Sequence, residues 1–169
     1  MEGLWRWREL VREDPVLCSQ CGGLCCQSHP GMYLDPIQFQ EAWDLPPGPW
    51  DMKEVLLADS LAFKVCMGVP IPVPCYTDQG CVFWNQGGCK LPLFKRPLEC
   101  LALEPKIETI IEGEIHCSLP RGLNYLQCFS RWKRVYEEWG IMEDVVALAS
   151  LLHPYRLLGD QRRKRDVFS

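Results

Sequence analysis

Four cysteines fall within nine residues near the start of the chain, in Cys18-Ser19-Gln20-Cys21-Gly22-Gly23-Leu24-Cys25-Cys26, and seven more follow at positions 66, 75, 81, 89, 100, 117 and 128. Eleven thiols in 169 residues commit such a chain either to a disulfide framework or to metal binding. The segment Met1–Asp14 has no apolar core of a secretory signal and carries acids and arginines throughout. It predicts a cytoplasmic, reducing setting, where structural disulfides are uncommon. The odd count leaves one thiol over in any full pairing. Metal binding is therefore the expectation, with a disulfide scaffold as the rival.

Thiolate sulfur is a soft ligand that selects zinc, copper(I) and iron–sulfur clusters. In Cys18-x-x-Cys21 the two intervening residues let both sulfurs reach one metal. Gly22 and Gly23 allow the backbone to curl so that several sulfurs face one point. The side chains of adjacent Cys25 and Cys26 diverge in most backbone conformations. They either touch different metal atoms, or pair one ligand with one packed thiol, or form a strained vicinal disulfide. The second half of the site is expected from Cys81, Cys89 and Cys100. Seven thiols exceed what one four-coordinate ion uses. The surplus favours an iron–sulfur cluster with spare thiols, or two metal ions with shared ligands.

Cys18-Ser-Gln-Cys21-Gly-Gly-Leu-Cys25-Cys26, Cys81-Val-Phe-Trp, Gly-Gly-Cys89 and Arg96-Pro97-x-x-Cys100 together resemble the CxxCxxxCC family of zinc- or iron-chelating, YkgJ-type cysteine cluster proteins. The likeness covers about residues 18 to 105. It departs from the family pattern at Lys90–Phe94, where Ile-Tyr is usual, and at Leu101, where an arginine commonly follows the last cysteine. The resemblance implies a metal centre, an iron–sulfur cluster or zinc or iron ions, held by Cys18, Cys21, Cys25, Cys26, Cys81, Cys89 and Cys100. A flagellin lysine N-methylase carries a similar cysteine pattern, so the resemblance also admits a cluster-dependent enzyme acting on a protein substrate. The other readings are a redox enzyme, and a structural zinc protein or metal carrier with a protein partner. Whether the chain is an enzyme stays open at this point.

Outside the motif, Cys66, Cys75, Cys117 and Cys128 read first as small buried hydrophobes and second as extra ligands, Cys117 and Cys128 with His116. His29, three residues past Cys26, reads as an exposed or supporting histidine before a ligand, and His153 as structural. Arg96 is the polar residue to single out. Near thiolates it would donate to sulfur or offset charge; otherwise it is a loop arginine bonded to carbonyls. The seven tryptophans read as core, or as a dry shell around a cluster. There is no G-x-G-x-x-G or P-loop fingerprint, and no Ser-His-Asp arrangement stands out.

An apolar fraction of 47% with 24% charged residues fits one folded domain. A net charge of −4 gives no footprint for nucleic acid, and no apolar run approaches the roughly 20 residues of a membrane span. Helical spacing covers Leu4–Val11, then a helix opening at Asp35-Pro36 with Gln38 bonding back, another opening at Asp51 with Glu54, and two more over Leu126–Trp139 and Met142–Leu152. Residues 66 to 105 read as loops with short strands at most, and no internal repeat is evident. The expectation is a mainly α fold: a single domain over 1–160, with its motif region at 18–105 and a C-terminal helical part at 120–158 wrapped around metal-stapled loops. A basic tail follows at 161–169.

Overall fold

The centre of the molecule is an extended segment, Pro30–Pro36, every residue of which is buried. It begins four residues after Cys26. The structure is a computed structural model that describes residues 7–11, 30–85, 88–105, 117–118 and 123–156. Cys18, Cys21, Cys25, Cys26, His29, His116 and the basic tail lie outside these residues, as does the first part of the Leu4–Val11 helix; its described remainder is a 3-10 turn, Trp7–Leu10.

Asp35 ends the central segment by capping α1, Pro36–Ala42: its Oδ1 accepts from Ile37 N at 2.8 Å, and Pro36 takes the first helical position. The expected Gln38 back-bond is not made, and Gln38 Oε1 is buried without a partner. Gln38 is fully buried and donates through Nε2 to Arg96 O at 2.9 Å, so it ties α1 to the loop before Cys100. Asp51 caps α2, Met52–Ala58, by accepting from Glu54 N at 3.2 Å.

A β-hairpin follows, β1 at Leu61–Cys66 and β2 at Val69–Pro74, antiparallel with Leu61 opposite Pro74 and Cys66 opposite Val69. The sequence reading missed it because β2 is Val-Pro-Ile-Pro-Val-Pro, and proline inside a strand removes ladder donors. The prolines are spaced by two, however, so all three missing N–H groups fall on one edge. Pro72 O accepts from Tyr33 N at 2.9 Å, and Pro70 O from the Tyr136 hydroxyl at 2.7 Å. The proline edge of β2 thus faces the central segment, where only acceptors are needed, and Val69, Ile71 and Val73 turn their N–H groups towards β1.

Three further two-stranded antiparallel sheets are short: β3 (Tyr76–Thr77) with β4 (Gly80–Cys81), β5 (Trp84–Asn85) with β6 (Gly88–Cys89), and β7 (Glu104–Pro105) with β8 (Cys117–Ser118). A 3-10 turn at Leu93–Lys95 and the four-residue α3, Leu98–Leu101, stand between β6 and β7. The long helix α4, Tyr125–Glu138, is capped by Asn124, whose Oδ1 accepts from Gln127 N at 3.1 Å. It buries Cys128, Trp132 and Tyr136 at helical spacing. Trp132 Nε1 donates to Tyr33 O at 2.8 Å, one turn from the Tyr136 bond to β2, so α4 stitches the central segment to the hairpin. Gly140, at φ 68°, ends α4, and α5, Met142–Leu151, returns against β1 and β2.

The expectation of a mainly α fold is therefore corrected. Among the described residues eight strands in four antiparallel sheets stand beside five α-helices, a mixed α/β fold. No described helix is long and apolar enough to cross a membrane.

Candidate metal centre

Cys81 and Cys89 occupy equivalent places in two consecutive hairpins. Tyr76-Thr77-Asp78-Gln79-Gly80-Cys81 and Trp84-Asn85-Gln86-Gly87-Gly88-Cys89 share the pattern aromatic-x-x-x-Gly-Cys. In each the aromatic residue pairs with the cysteine. The preceding glycine has the same left-handed conformation, φ 108° at Gly80 and 110° at Gly88, which a residue with a Cβ rarely adopts. The next N–H closes each unit in the same way: Val82 N donates to Cys75 O at 3.0 Å, and Lys90 N to Phe83 O at 2.7 Å. An eight-residue repeat thus spans 75–82 and 83–90. It corrects the reading that the chain has none. The period was missed because it is short and only two residue types recur.

Cys100 is presented by α3, one turn past Pro97. Its sulfur packs against Gly31, where a Cβ would stand 2.5 Å from Cys100 Sγ and 3.1 Å from Cys100 N. The backbone there is pinned from both sides: Glu99 N donates to Met32 O at 3.2 Å, and Met32 N to Glu99 Oε1 at 3.3 Å. The segment that follows the N-terminal cysteine cluster therefore runs directly against the last motif cysteine.

Tyr33 is fully buried, and its hydroxyl donates to Lys95 O at 2.7 Å, holding the loop between Cys89 and Cys100. Burial pushes its pKa well above the usual value, and the charges of Cys100, Cys81 and Cys89 push in the same direction. The Trp43 indole N–H opposes that shift, yet it does not reach hydrogen-bond geometry: Trp43 Nε1 is buried with no partner. A buried donor in that state costs about 1–3 kcal/mol. The Trp43 ring stands 6.1 Å from Tyr33 and 6.4 Å from Phe83, with Lys95 Nζ 5.4 Å from its centroid.

Of the seven cysteines selected from sequence, Cys18, Cys21, Cys25 and Cys26 lie outside the described residues. Of the other three, Cys81 is buried, and Cys89 and Cys100 are half-buried. Among the described residues no group of three or more His, Cys, Asp or Glu side chains is arranged to hold a metal ion, so these three alone do not close a site. Their chemistry suits a thiolate-bound metal. Arg96 donates through Nε to Leu91 O at 3.1 Å, the carbonyl-bonded loop role.

Of the remaining described cysteines, Cys117 pairs with Pro105 across β7 and β8. Cys128 is 1% exposed on the inner face of α4; burial first, then the Asp35 charge, push its thiol up to about 11. Cys66 Sγ lies 3.5 Å from Met32 Sδ, and burial raises its pKa too. Cys75 is buried in the core. Asp35, also fully buried, pairs with Arg131 at 3.4 Å. His153 Nδ1 accepts from Tyr155 N at 3.1 Å, a backbone-holding role. Gly31, Tyr33 and Trp43 were not singled out from sequence, since one glycine and a short apolar run carry no period. No family model, curated protein or solved structure matches the chain.

Proposed function

We propose that this chain is a metal-binding protein of the CxxCxxxCC kind. It holds an iron–sulfur cluster, or failing that zinc, through thiolates of Cys18, Cys21, Cys25, Cys26, Cys81, Cys89 and Cys100. The observation that supports the reading is the seat of Cys100 Sγ on Gly31, which brings the segment after the N-terminal cysteines against the last motif cysteine, beside the matched strand-pair settings of Cys81 and Cys89. Cys26 is four residues before Pro30, and covalent geometry keeps their Cα atoms within about 14 Å. Chain length therefore puts the contact of Gly31 with Cys100 within reach of Cys26, while Cys18, twelve residues before Pro30, has a span of about 43 Å. The bound centre would supply redox or Lewis-acid chemistry, or structural cross-linking. The chain's own part is to present soft donors from two rigid hairpins and a short helix, and to cover them with Tyr33, Trp43 and Phe83.

The iron–sulfur preference rests on the surplus of thiols over the four that one tetrahedral ion takes. Single replacements Cys81→Ala, Cys89→Ala and Cys100→Ala, each purified without oxygen, test the reading. Each is expected to lower the metal retained per chain, whereas Cys75→Ala and Cys128→Ala are expected to leave it unchanged. Equal metal content across all five variants would remove these residues from the centre.

A further inference from the structure

The register of the β1–β2 hairpin leaves one edge of β1 turned outward. Val65 stands opposite Pro70, which has no N–H and whose carbonyl accepts from the Tyr136 hydroxyl on the far side of β2. Val65 therefore directs its own N–H and C=O away from β2, on the edge where Phe63 N donates to Leu152 O at 3.0 Å. Among the described residues Val65 N has no partner there. The chain continues from Leu152 into His153 and Pro154, and Pro154 O accepts from Tyr76 N at 2.9 Å. Between these strands of chain lies a cleft of about 360 Å3. Its buried lining is apolar: Phe63, Val73, Ala149 and Pro154, with Pro30 beside them. Three polar side chains from three separate parts of the fold also line it: Lys64 from β1, Tyr76 from β3, and His153 after α5.

All three offer donors. Lys64 is an ammonium with no carboxylate in ion-pair distance among the described residues. His153 Nδ1 accepts from Tyr155 N at 3.1 Å, so this imidazole carries its proton on Nε2, a second donor. The Tyr76 hydroxyl is a third. None of the described residues that line the cleft is acidic. The set suits an acceptor with one negative charge, because Lys64 alone brings a formal positive one. The volume is that of about twelve waters and sits at the small end of ligand sites. We propose that the cleft binds a small monocarboxylate with an apolar body of about eight carbons. Its carboxylate meets Lys64, Tyr76 and His153, and its chain lies against Phe63, Val73 and Ala149. A phosphate monoester is the poorer match, since it sets up to two negative charges against one cation. No cysteine lines the cleft, so the inference stands apart from the metal-binding reading above.

The test is titration of the 15N-labelled full chain with sodium octanoate, 1-octanol and sodium acetate, followed through amide resonances. Octanoate is expected to saturate with a Kd at or below about 1 mM, moving the amides of Lys64, Val65, Tyr76, Ala149 and His153. 1-Octanol keeps the chain without the charge and should bind about 10-fold more weakly. Acetate keeps the charge without the chain and should not saturate. Lys64→Met keeps an exposed side chain of similar length and removes its charge, so it should weaken octanoate about 10-fold and leave 1-octanol unchanged. The octanoate and octanol comparison uses wild type alone and decides the matter even where the variant fails to fold. Equal affinity for octanoate and octanol, or for octanoate in wild type and Lys64→Met, would overturn the carboxylate assignment. Acetate that binds as tightly as octanoate would overturn the apolar half of the site. No saturable shift, or shifts confined to residues away from the cleft, would overturn the proposal outright.

Discussion

Replacing Gly31 by alanine strikes the contact that seats Cys100. An added Cβ would stand 2.5 Å from Cys100 Sγ, 3.1 Å from Cys100 N and 3.4 Å from Glu99 Cβ. The sulfur must retreat by about 1 Å to reach ordinary contact distance, and the Cys100 backbone gives little because α3 is bonded to Met32 on both sides. Overpacking of this kind costs about 1–3 kcal/mol. The loss of glycine freedom in the unfolded chain returns about 0.4–1 kcal/mol. A net destabilisation of about 1–2 kcal/mol is expected. The assay is urea unfolding of metal-stripped protein, followed by tryptophan fluorescence, in a double-mutant cycle with Cys100→Ala. Deleting the sulfur makes room for the new methyl, so Gly31→Ala should cost at least about 1 kcal/mol less in the Cys100→Ala background, a coupling well above additivity error. Equal costs in both backgrounds would refute the proposed seat of Cys100 on Gly31.

Two other outcomes follow from the same physics. Met67 and Gly68 form the two-residue turn of the β1–β2 hairpin with φ 53° and 76°, a left-handed pair that suits asparagine before glycine and strains methionine. Met67→Asn should raise the unfolding free energy by about 1 kcal/mol; a loss would contradict the turn geometry. Burial holds the Cys128 thiol up to about 11 against an ordinary value near 9. The folded state therefore keeps this proton where the unfolded state has lost it. Its stabilising share is complete below pH 9 and declines as pH rises towards 11, by up to about 2–3 kcal/mol. Denaturation midpoints across that window should fall more steeply for wild type than for Cys128→Ala, and parallel curves would count against the buried thiol.

Helices were legible where caps and period agreed. Asp35-Pro36, Asp51 with Glu54, and the Trp132–Tyr136 stripe of α4 announced themselves through local chemistry. The hairpin is not legible, because the stretch is rich in proline and shows no long period, and each proline by itself removes a ladder donor. Its spacing by two, which confines the missing donors to one edge of β2, carries information only when the neighbour across that edge is known. Cys81, Cys89 and Cys100 were selected by thiol chemistry and spacing. Tyr33, whose hydroxyl holds the loop between Cys89 and Cys100, could not be selected, since its acceptor Lys95 O lies 62 residues away in sequence and it has no motif of its own. Gln38 shows the same limit. Its position in a capping box is readable, but its bond to Arg96 O is not, because that acceptor lies 58 residues away; the Oε1 that a capping box would use is buried without a partner.

The most direct test of a thiolate-held centre is metal and sulfide analysis, with an absorption spectrum, on full-length chain purified without oxygen. The account predicts stoichiometric metal, with broad absorption near 400 nm and about four irons and four sulfides per chain for one cluster. A colourless protein with one or two zincs would keep the thiolate centre and replace the cluster. A protein with no stoichiometric metal, and cysteines that all react readily with a thiol reagent, would contradict it.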